Sequence, residues 1–183
     1  MGRRLIPLAL VAALLLSLAA VAAACGGDDD DGGGNGGGNG GAELTLEEYF
    51  QELQDLAVEF DERGTEVGDK FDDPSVETDE DAINATRDFL DGSLVVLTDF
   101  VDGLEGLNPP AEVQEEHDAA VTAGQAMVTL FEGLVEDAAD AESAADLESL
   151  FEPLMNEEAF SAACIDLQAA ADEAGIHIDL RCG

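Results

Sequence analysis

Positive charge is what this sequence lacks most. Its 183 residues include 6 Lys+Arg against 43 Asp+Glu, for a formal net charge of −37. Two of the cations, Arg3 and Arg4, fall in the leading segment, which leaves Arg63, Lys70, Arg87 and Arg181 in the rest of the chain. So acidic a surface repels phosphate backbones, which excludes nucleic acid as a partner. It also repels anionic lipid headgroups, so any attachment to a membrane has to be other than electrostatic. Cationic ligands, divalent ions and other proteins remain. The plainest use of the charge is solvation, which keeps a small domain soluble and monomeric.

Other scarcities narrow the chemistry. There is no Trp, one Tyr and 5% aromatic residues in all, too few to build aromatic cages for a cationic ligand. The chain has 2 His and none of the patterns that would recruit them or a nucleophile: no H-E-x-x-H, no G-x-S-x-G, no phosphate-binding loop, no C-x-x-C-H. His117 has Glu115, Glu116 and Asp118 beside it, but it also lies four residues from both Val113 and Val121 on an apolar stripe. A single His without converging ligands is not a metal site, so the expectation is a packed, structural histidine. The di-iron bundle pattern Glu-x-x-His fails because position 114 is Gln114. His177 has Ala174 three residues before it and fails in the same way. These absences make a non-enzymatic protein the expectation and an enzyme of unrecognised type the remote alternative, with no cofactor implied.

There are 3 Cys, and the odd number is informative. Cys25 directly follows an apolar run, whereas Cys164 and Cys182 both lie late in the chain. With Cys25 set aside, an even pair remains, and in an oxidising compartment a disulfide is its default state. A Cys164–Cys182 bridge would close a loop of about 19 residues and contribute about 3 kcal/mol in the chain-entropy model. Without a C-x-x-C spacing to lower a thiol pKa, redox catalysis is not its role. The expected role is to pin the C-terminal segment.

The hydrophobic fraction, 46%, is high enough to argue against global disorder. Part of it sits in Leu5–Ala24, an uncharged stretch long enough, at about 20 residues, to span a bilayer. The order is a short basic start (Met1-Gly2-Arg3-Arg4), this apolar run, then small residues ending in Val21-Ala22-Ala23-Ala24-Cys25. That order resembles the lipobox-type signal peptide of bacterial lipoproteins, although Ala22 stands where that family usually has Leu. The resemblance implies that residues 1–24 are removed, that Cys25 receives a diacylglyceryl group, and that its new amino terminus can take a further acyl chain such as palmitate. Two chains anchor stably where one does not. The implied location is the outer, extracytoplasmic face of the cell membrane. Gly26 after the cysteine is not the Asp that resembles an inner-membrane retention signal.

Residues 26–41 are only Gly, Asp and Asn. With no apolar side chain to bury, this stretch reads as a flexible tether with a typical span of about 22 Å. Asp28–Asp31 repel one another and the membrane, holding the C-terminal part of the chain off the surface. The 25–42 region is thus anchor and tether, and residues 43–183 form the one folded domain.

In that domain the apolar period is helical. Thr45-Leu46-Glu47-Glu48 reads as a capping box, and Leu46, Tyr49, Phe50, Leu53, Leu56, Ala57 and Phe60 fall on one stripe. Val67 and Phe71 extend the stripe past Gly64 and Gly68. Asp72-Asp73-Pro74-Ser75 is a break, and Thr78 with Asp81 a second cap. Leu90, Leu94, Leu97, Val101 and Leu104 alternate steps of four and three, a short heptad seam that suits bundle packing. Asn108-Pro109-Pro110 ends this helix and is expected to start the next, since proline is welcome in a first turn. The third stripe comprises Val113, His117, Val121, Gly124, Met127, Val128, Phe131, Leu134 and Val135. Gly124 lies on it, where a missing side chain would let another helix come close. Ala144, Leu147, Leu150, Phe151 and Leu154 mark a fourth region, and Asn156-Glu157-Glu158 caps a last stretch through Phe160, Ala163, Cys164, Leu167, Ala170, Ala171 and Ala174. Gly175 stops it. Ile176–Gly183 alternates apolar and polar residues and reads as extended. The expected fold is all-α, an antiparallel helical bundle of about four helices with a short extended C-terminal tail.

The densest acidic stretch joins the first two helices: Asp69, Asp72, Asp73, Glu77, Asp79, Glu80 and Asp81. Ca²⁺ wants six to eight oxygen ligands, and this loop could offer several, although its spacing is not that of an EF-hand. A solvated loop is the simpler reading and a divalent-cation site the functional one. The whole chain resembles the small, acid-rich helical lipoproteins of monoderm bacteria. The features that carry this are the Gly/Asp tether, Leu44-Thr45-Leu46-Glu47-Glu48-Tyr49-Phe50, Asn108-Pro109-Pro110 and the late cysteine pair. The resemblance implies no particular activity. The expected function is therefore a membrane-tethered binding or scaffolding module, presenting a helical face to an envelope protein or a cationic ligand.

Overall fold

The computed structural model describes residues 43–71, 78–143, 146–147, 150–151 and 159–182. The leader, Cys25, the tether and the Asn156-Glu157-Glu158 cap lie outside the described residues. Among the described residues four long helices are delimited: α1 (Leu46–Phe71), α2 (Asp79–Gly106), α3 (Gln114–Asp140) and α4 (Ala159–Glu173). They form an all-α bundle in which successive helices pack on one another. Ring and glycine contacts give the direction of each pairing. Phe71 meets Phe89 with ring centroids 4.9 Å apart and Phe60 meets Phe100 at 5.0 Å, so α1 and α2 run antiparallel. Gly124 on α3 faces Val101, while Arg87 reaches Ala138, so α2 and α3 do likewise.

Helix starts obey the capping chemistry. The Thr45 hydroxyl donates to Glu48 Oε2 at 2.7 Å and accepts from the Glu48 amide. Thr78 and Asp81 repeat the arrangement, at 2.6 Å from hydroxyl to carboxylate. A third pair, Ser143 with Asp146, does the same at 2.8 Å, in a stretch the sequence marks only by its apolar residues. Each box satisfies amides that a helix start leaves open. Hydrogen bonds from their cap residues hold the Glu48 and Asp146 carboxyls below the ordinary range.

The start of α3 departs from expectation. Pro109 and Pro110 are buried but do not open the helix. They sit in a turn closed by the Val113 amide donating to the Pro110 carbonyl at 3.1 Å. The helix begins at Gln114, with Val113 as a cap that offers no side-chain bond. The proline pair instead lines up with the start of the domain, where the Leu44 amide donates to the Asn108 carbonyl at 3.0 Å. Tertiary docking of residues 43–44 thus uses the segment that helix propensity would have claimed for a first turn.

The core divides along the bundle axis. At one end Tyr49, Phe50, Leu53, Leu104, Val113, Ala120, Ala163, Leu167, Ala171 and Leu180 pack together. At the other end Phe89, Leu90, Leu97, Val101, Phe131, Leu134 and Ala138 pack together, with Val67, Phe71, Leu150 and Phe151 against them. A small satellite joins Ile83, Ala141 and Leu147. The buried members of α4 belong to the first cluster only, while Leu150 and Phe151, which precede it in the chain, pack against the second. The heptad seam on α2 is inward as expected: Leu90, Leu97, Val101 and Leu104 are buried. Gly124 also serves as expected, since a Cβ there would stand 2.8 Å from Val101 Cγ2 and 3.8 Å from Phe160 Cε2.

The tail closes the fourth side. Helix α4 stops at Gly175, in the left-handed region at φ +73°, where the Gly175 amide donates to the Asp172 carbonyl and the Ile176 amide to the Ala171 carbonyl. The chain then turns back along α4 with no helix or strand over 176–182. Cys164 and Cys182 form the expected disulfide, with Cα atoms 5.4 Å apart. Leu180 is buried in the first cluster, and Arg181 pairs with Asp61 on α1.

Candidate functional site

Two side-chain groupings have the composition of a site: a buried Tyr–His pair and the acidic outer faces. The pair is Tyr49 on α1 and His117 on α3. Tyr49 is 0% exposed and His117 5%. The Tyr49 hydroxyl lies 3.2 Å from His117 Nδ1, and the rings meet edge to face with centroids 5.8 Å apart. A buried phenol needs a hydrogen-bond partner, and the histidine supplies it. Burial pushes the Tyr49 hydroxyl well above its ordinary value, and the nearby Glu116 carboxylate adds to the shift. Burial likewise lowers His117 below its ordinary 6.5, against the opposing pull of Asp118.

Chemically the pair is an acceptor and a donor satisfying each other within the first core cluster. Two shallow depressions lie elsewhere on the bundle. One, about 30 Å³, sits between α1 and α2 beside Phe60, Arg63 and Asp99. The other, about 230 Å³ and open, runs between α2 and α3 beside Val101, Glu105 and Gln125. The structural role expected of His117 is what this geometry supports. Its partner is not legible in the sequence: Tyr49 and His117 are 68 residues apart, and the only signal is that both fall on apolar stripes.

The arginines explain why the outer faces stay negative. Arg63 on α1 reaches across to Asp99 on α2 at 2.6 Å and back to Glu59 at 3.4 Å. Arg181 ties the tail to Asp61 on α1. Arg87 on α2 donates from Nε to the Ala138 carbonyl at 2.8 Å and from one terminal nitrogen to Ala139 at 2.8 Å and Ala141 at 3.1 Å. Those carbonyls belong to the last turn and the cap of α3, a helix with no basic residue in its last turn. Arg87 therefore serves from a neighbouring helix as the cation that the negative end of α3 favours. These three arginines each join one element to another, and with Lys70 they are the only Lys and Arg among the described residues, too few to neutralise most of the solvent-facing carboxylates.

The acidic 69–81 stretch is described only in part. Asp69 and Glu80 are exposed, and Asp81 is engaged in the cap of α2. Asp72, Asp73, Glu77 and the Asp79 side chain lie outside the described residues, as does Cys25. Among the described residues no group of three or more His, Cys, Asp or Glu side chains is placed to hold a metal ion, and no helix is long and apolar enough to cross a membrane. The chain matches no protein-family model, no curated protein and no solved structure.

Proposed function

We propose that the protein is a lipid-anchored, extracytoplasmic module whose bundle binds or scaffolds a partner without catalysis. The observation that carries this reading is the use of the arginines. Arg63 and Arg181 each pair with carboxylates of the same chain and Arg87 is spent on the end of α3, so with Lys70 alone left over the helices turn a largely uncompensated acidic surface outward, suited to a basic face of an envelope protein or to a cationic ligand. The lipobox-like leader and the Gly/Asp tether support the location: they would hold such a surface a short distance from the membrane while leaving it free to rotate. Buried apolar area holds the fold together, so the exposed charge is available for steering encounters, an effect that weakens as salt rises.

Two experiments test the two halves of the reading. Cys25→Ala is expected to abolish lipid on the native amino terminus and move the protein out of the membrane fraction; an unmodified Cys25 in the native protein refutes the anchor. Crosslinking of tagged protein in intact envelopes is expected to recover one salt-sensitive partner with a basic surface. Recovery of no specific partner refutes the binding module.

The density of acids over 69–81 favours a second reading, a divalent-cation-binding lipoprotein. Its test is a thermal melt in Ca²⁺, Mg²⁺, Mn²⁺ or Zn²⁺ against NaCl of equal ionic strength. A site that binds only the folded state gives a saturable gain with one ion. Equal gains in every salt reduce the acids to a screened surface.

A further inference from the structure

The tail covers the side of the bundle where helix packing is weakest. Helices α1 with α2, α2 with α3 and α3 with α4 pack as pairs, whereas α1 and α4 do not pack extensively on each other. Leu180 fills that side as a member of the cluster that holds Tyr49 and Leu53 from α1 and Leu167 and Ala171 from α4. The tail is thus the wedge between the first helix and the last.

What holds the wedge is unusual for a core element. Beyond the Ile176 amide, no backbone–backbone hydrogen bond joins the tail to the helices among the described residues. Its polar contacts are to side chains. Gln168 clamps it from both directions, donating to the Ile178 carbonyl at 3.1 Å and accepting from the Leu180 amide at 2.9 Å. Ser161 donates to the Cys182 carbonyl at 3.3 Å. Arg181 stands in the left-handed region at φ +54°, a conformation that costs a residue with a Cβ, with its amide donating to Asp179 Oδ1. The segment begins at Gly175, a ready pivot, and its far end is bonded to Cys164, which is only half-buried, as is Cys182.

We propose that the Cys164–Cys182 disulfide is a redox latch: reduced, it releases residues 176–182 as one arm pivoting on Gly175 and uncovers the seam between α1 and α4, while the rest of the bundle holds. The chemistry is thiol–disulfide exchange with a dithiol reductant. One reductant thiolate attacks a cystine sulfur to form a mixed disulfide, and its second thiol closes on the first. Two electrons and two protons pass to the protein, leaving two cysteine thiols, and the reductant leaves as its own disulfide. The arm then leaves as a unit because it shares no backbone ladder with the bundle, the mark of a segment that opens on its own. The arm leaves the core cluster that also holds Tyr49 and Leu167.

The test uses the full chain with and without a dithiol reductant, and the Cys164→Ser/Cys182→Ser variant without it. Amide exchange over 176–182 is expected to accelerate at least about tenfold on reduction, with α2 and α3 unchanged. Tyr49 is the only Tyr and there is no Trp, so intrinsic fluorescence reports on the core cluster in which the arm packs and is expected to shift while helix content stays constant. The serine variant is expected to match the reduced protein. Unchanged protection of 176–182 after complete reduction overturns the latch, because packing alone would then hold the tail. Loss of protection in all four helices together also overturns it, because the disulfide would then hold the global fold.

Discussion

Replacing Gly124 with alanine probes a very tight approach between two helices. The new Cβ would stand 2.8 Å from Val101 Cγ2, closer than two carbons pack. Val101 is buried and β-branched, so its methyls cannot swing aside without a strained rotamer or a shift of α2. Alanine is otherwise preferred to glycine inside a helix by about 1 kcal/mol. Overpacking a filled core costs about 1–3 kcal/mol, so the net expectation is a loss of about 1 kcal/mol. Gly103 sets the reasoning a harder test. A Cβ there would meet Leu56 Cδ2 at 2.7 Å, a shorter distance still. Yet Leu56 is half-buried and the clash is with the far end of a flexible side chain, so the two effects should nearly cancel. Gly133, with nothing within 4 Å, should gain the full helix preference of about 1 kcal/mol. The order of stability is therefore Gly133→Ala, then Gly103→Ala, then Gly124→Ala, spanning about 2 kcal/mol, or about 4–8 °C in Tm for a domain of this size. Urea melts with a common m-value measure it. A Gly124→Ala protein as stable as Gly133→Ala would falsify the close approach of α2 and α3.

Three further perturbations each address one contact. Arg87→Ala strips the end of α3 of three hydrogen bonds from a charged donor and should cost about 2 kcal/mol; Arg87→Lys should recover little, because an ammonium cannot serve the carbonyls with a planar fork, and full recovery by lysine in urea melts argues against the fork. Tyr49→Phe removes the partner of a buried imidazole nitrogen and should cost about 1–3 kcal/mol, whereas an unchanged melting curve means that the 3.2 Å contact contributes nothing. His117 is held below its ordinary 6.5 by burial, so the unfolded chain binds the proton first and stability falls as pH drops through 6.5 toward the folded value. His117→Gln cannot titrate and should flatten that part of the profile between about pH 7 and 5, while relief of acid–acid repulsion acts on both proteins alike. Parallel profiles for the two proteins contradict a buried neutral imidazole.

The amino-acid sequence by itself determined the all-α class. Helical periodicity, the two Thr-led capping boxes and the glycine at 175 are local signals, each settled within a turn or two of chain, and the four-helix bundle is their consequence. Gly124 was legible for the same reason, since a glycine on an apolar stripe has few uses besides close packing. The even cysteine pair was legible by counting. What only the tertiary structure decided are the pairings over long separations. Nothing local ties Tyr49 to His117, Arg87 to the end of α3, or Arg181 to Asp61. Each depends on which helix faces meet, and that depends on how the whole core fills. The start of α3 shows the contest directly. Proline's preference for a first turn favours a helix from Pro109, but docking of Leu44 against Asn108 makes the same residues a turn. There the tertiary contact outweighs the local one, because a first turn binds only itself while the docked segment seals one end of the core.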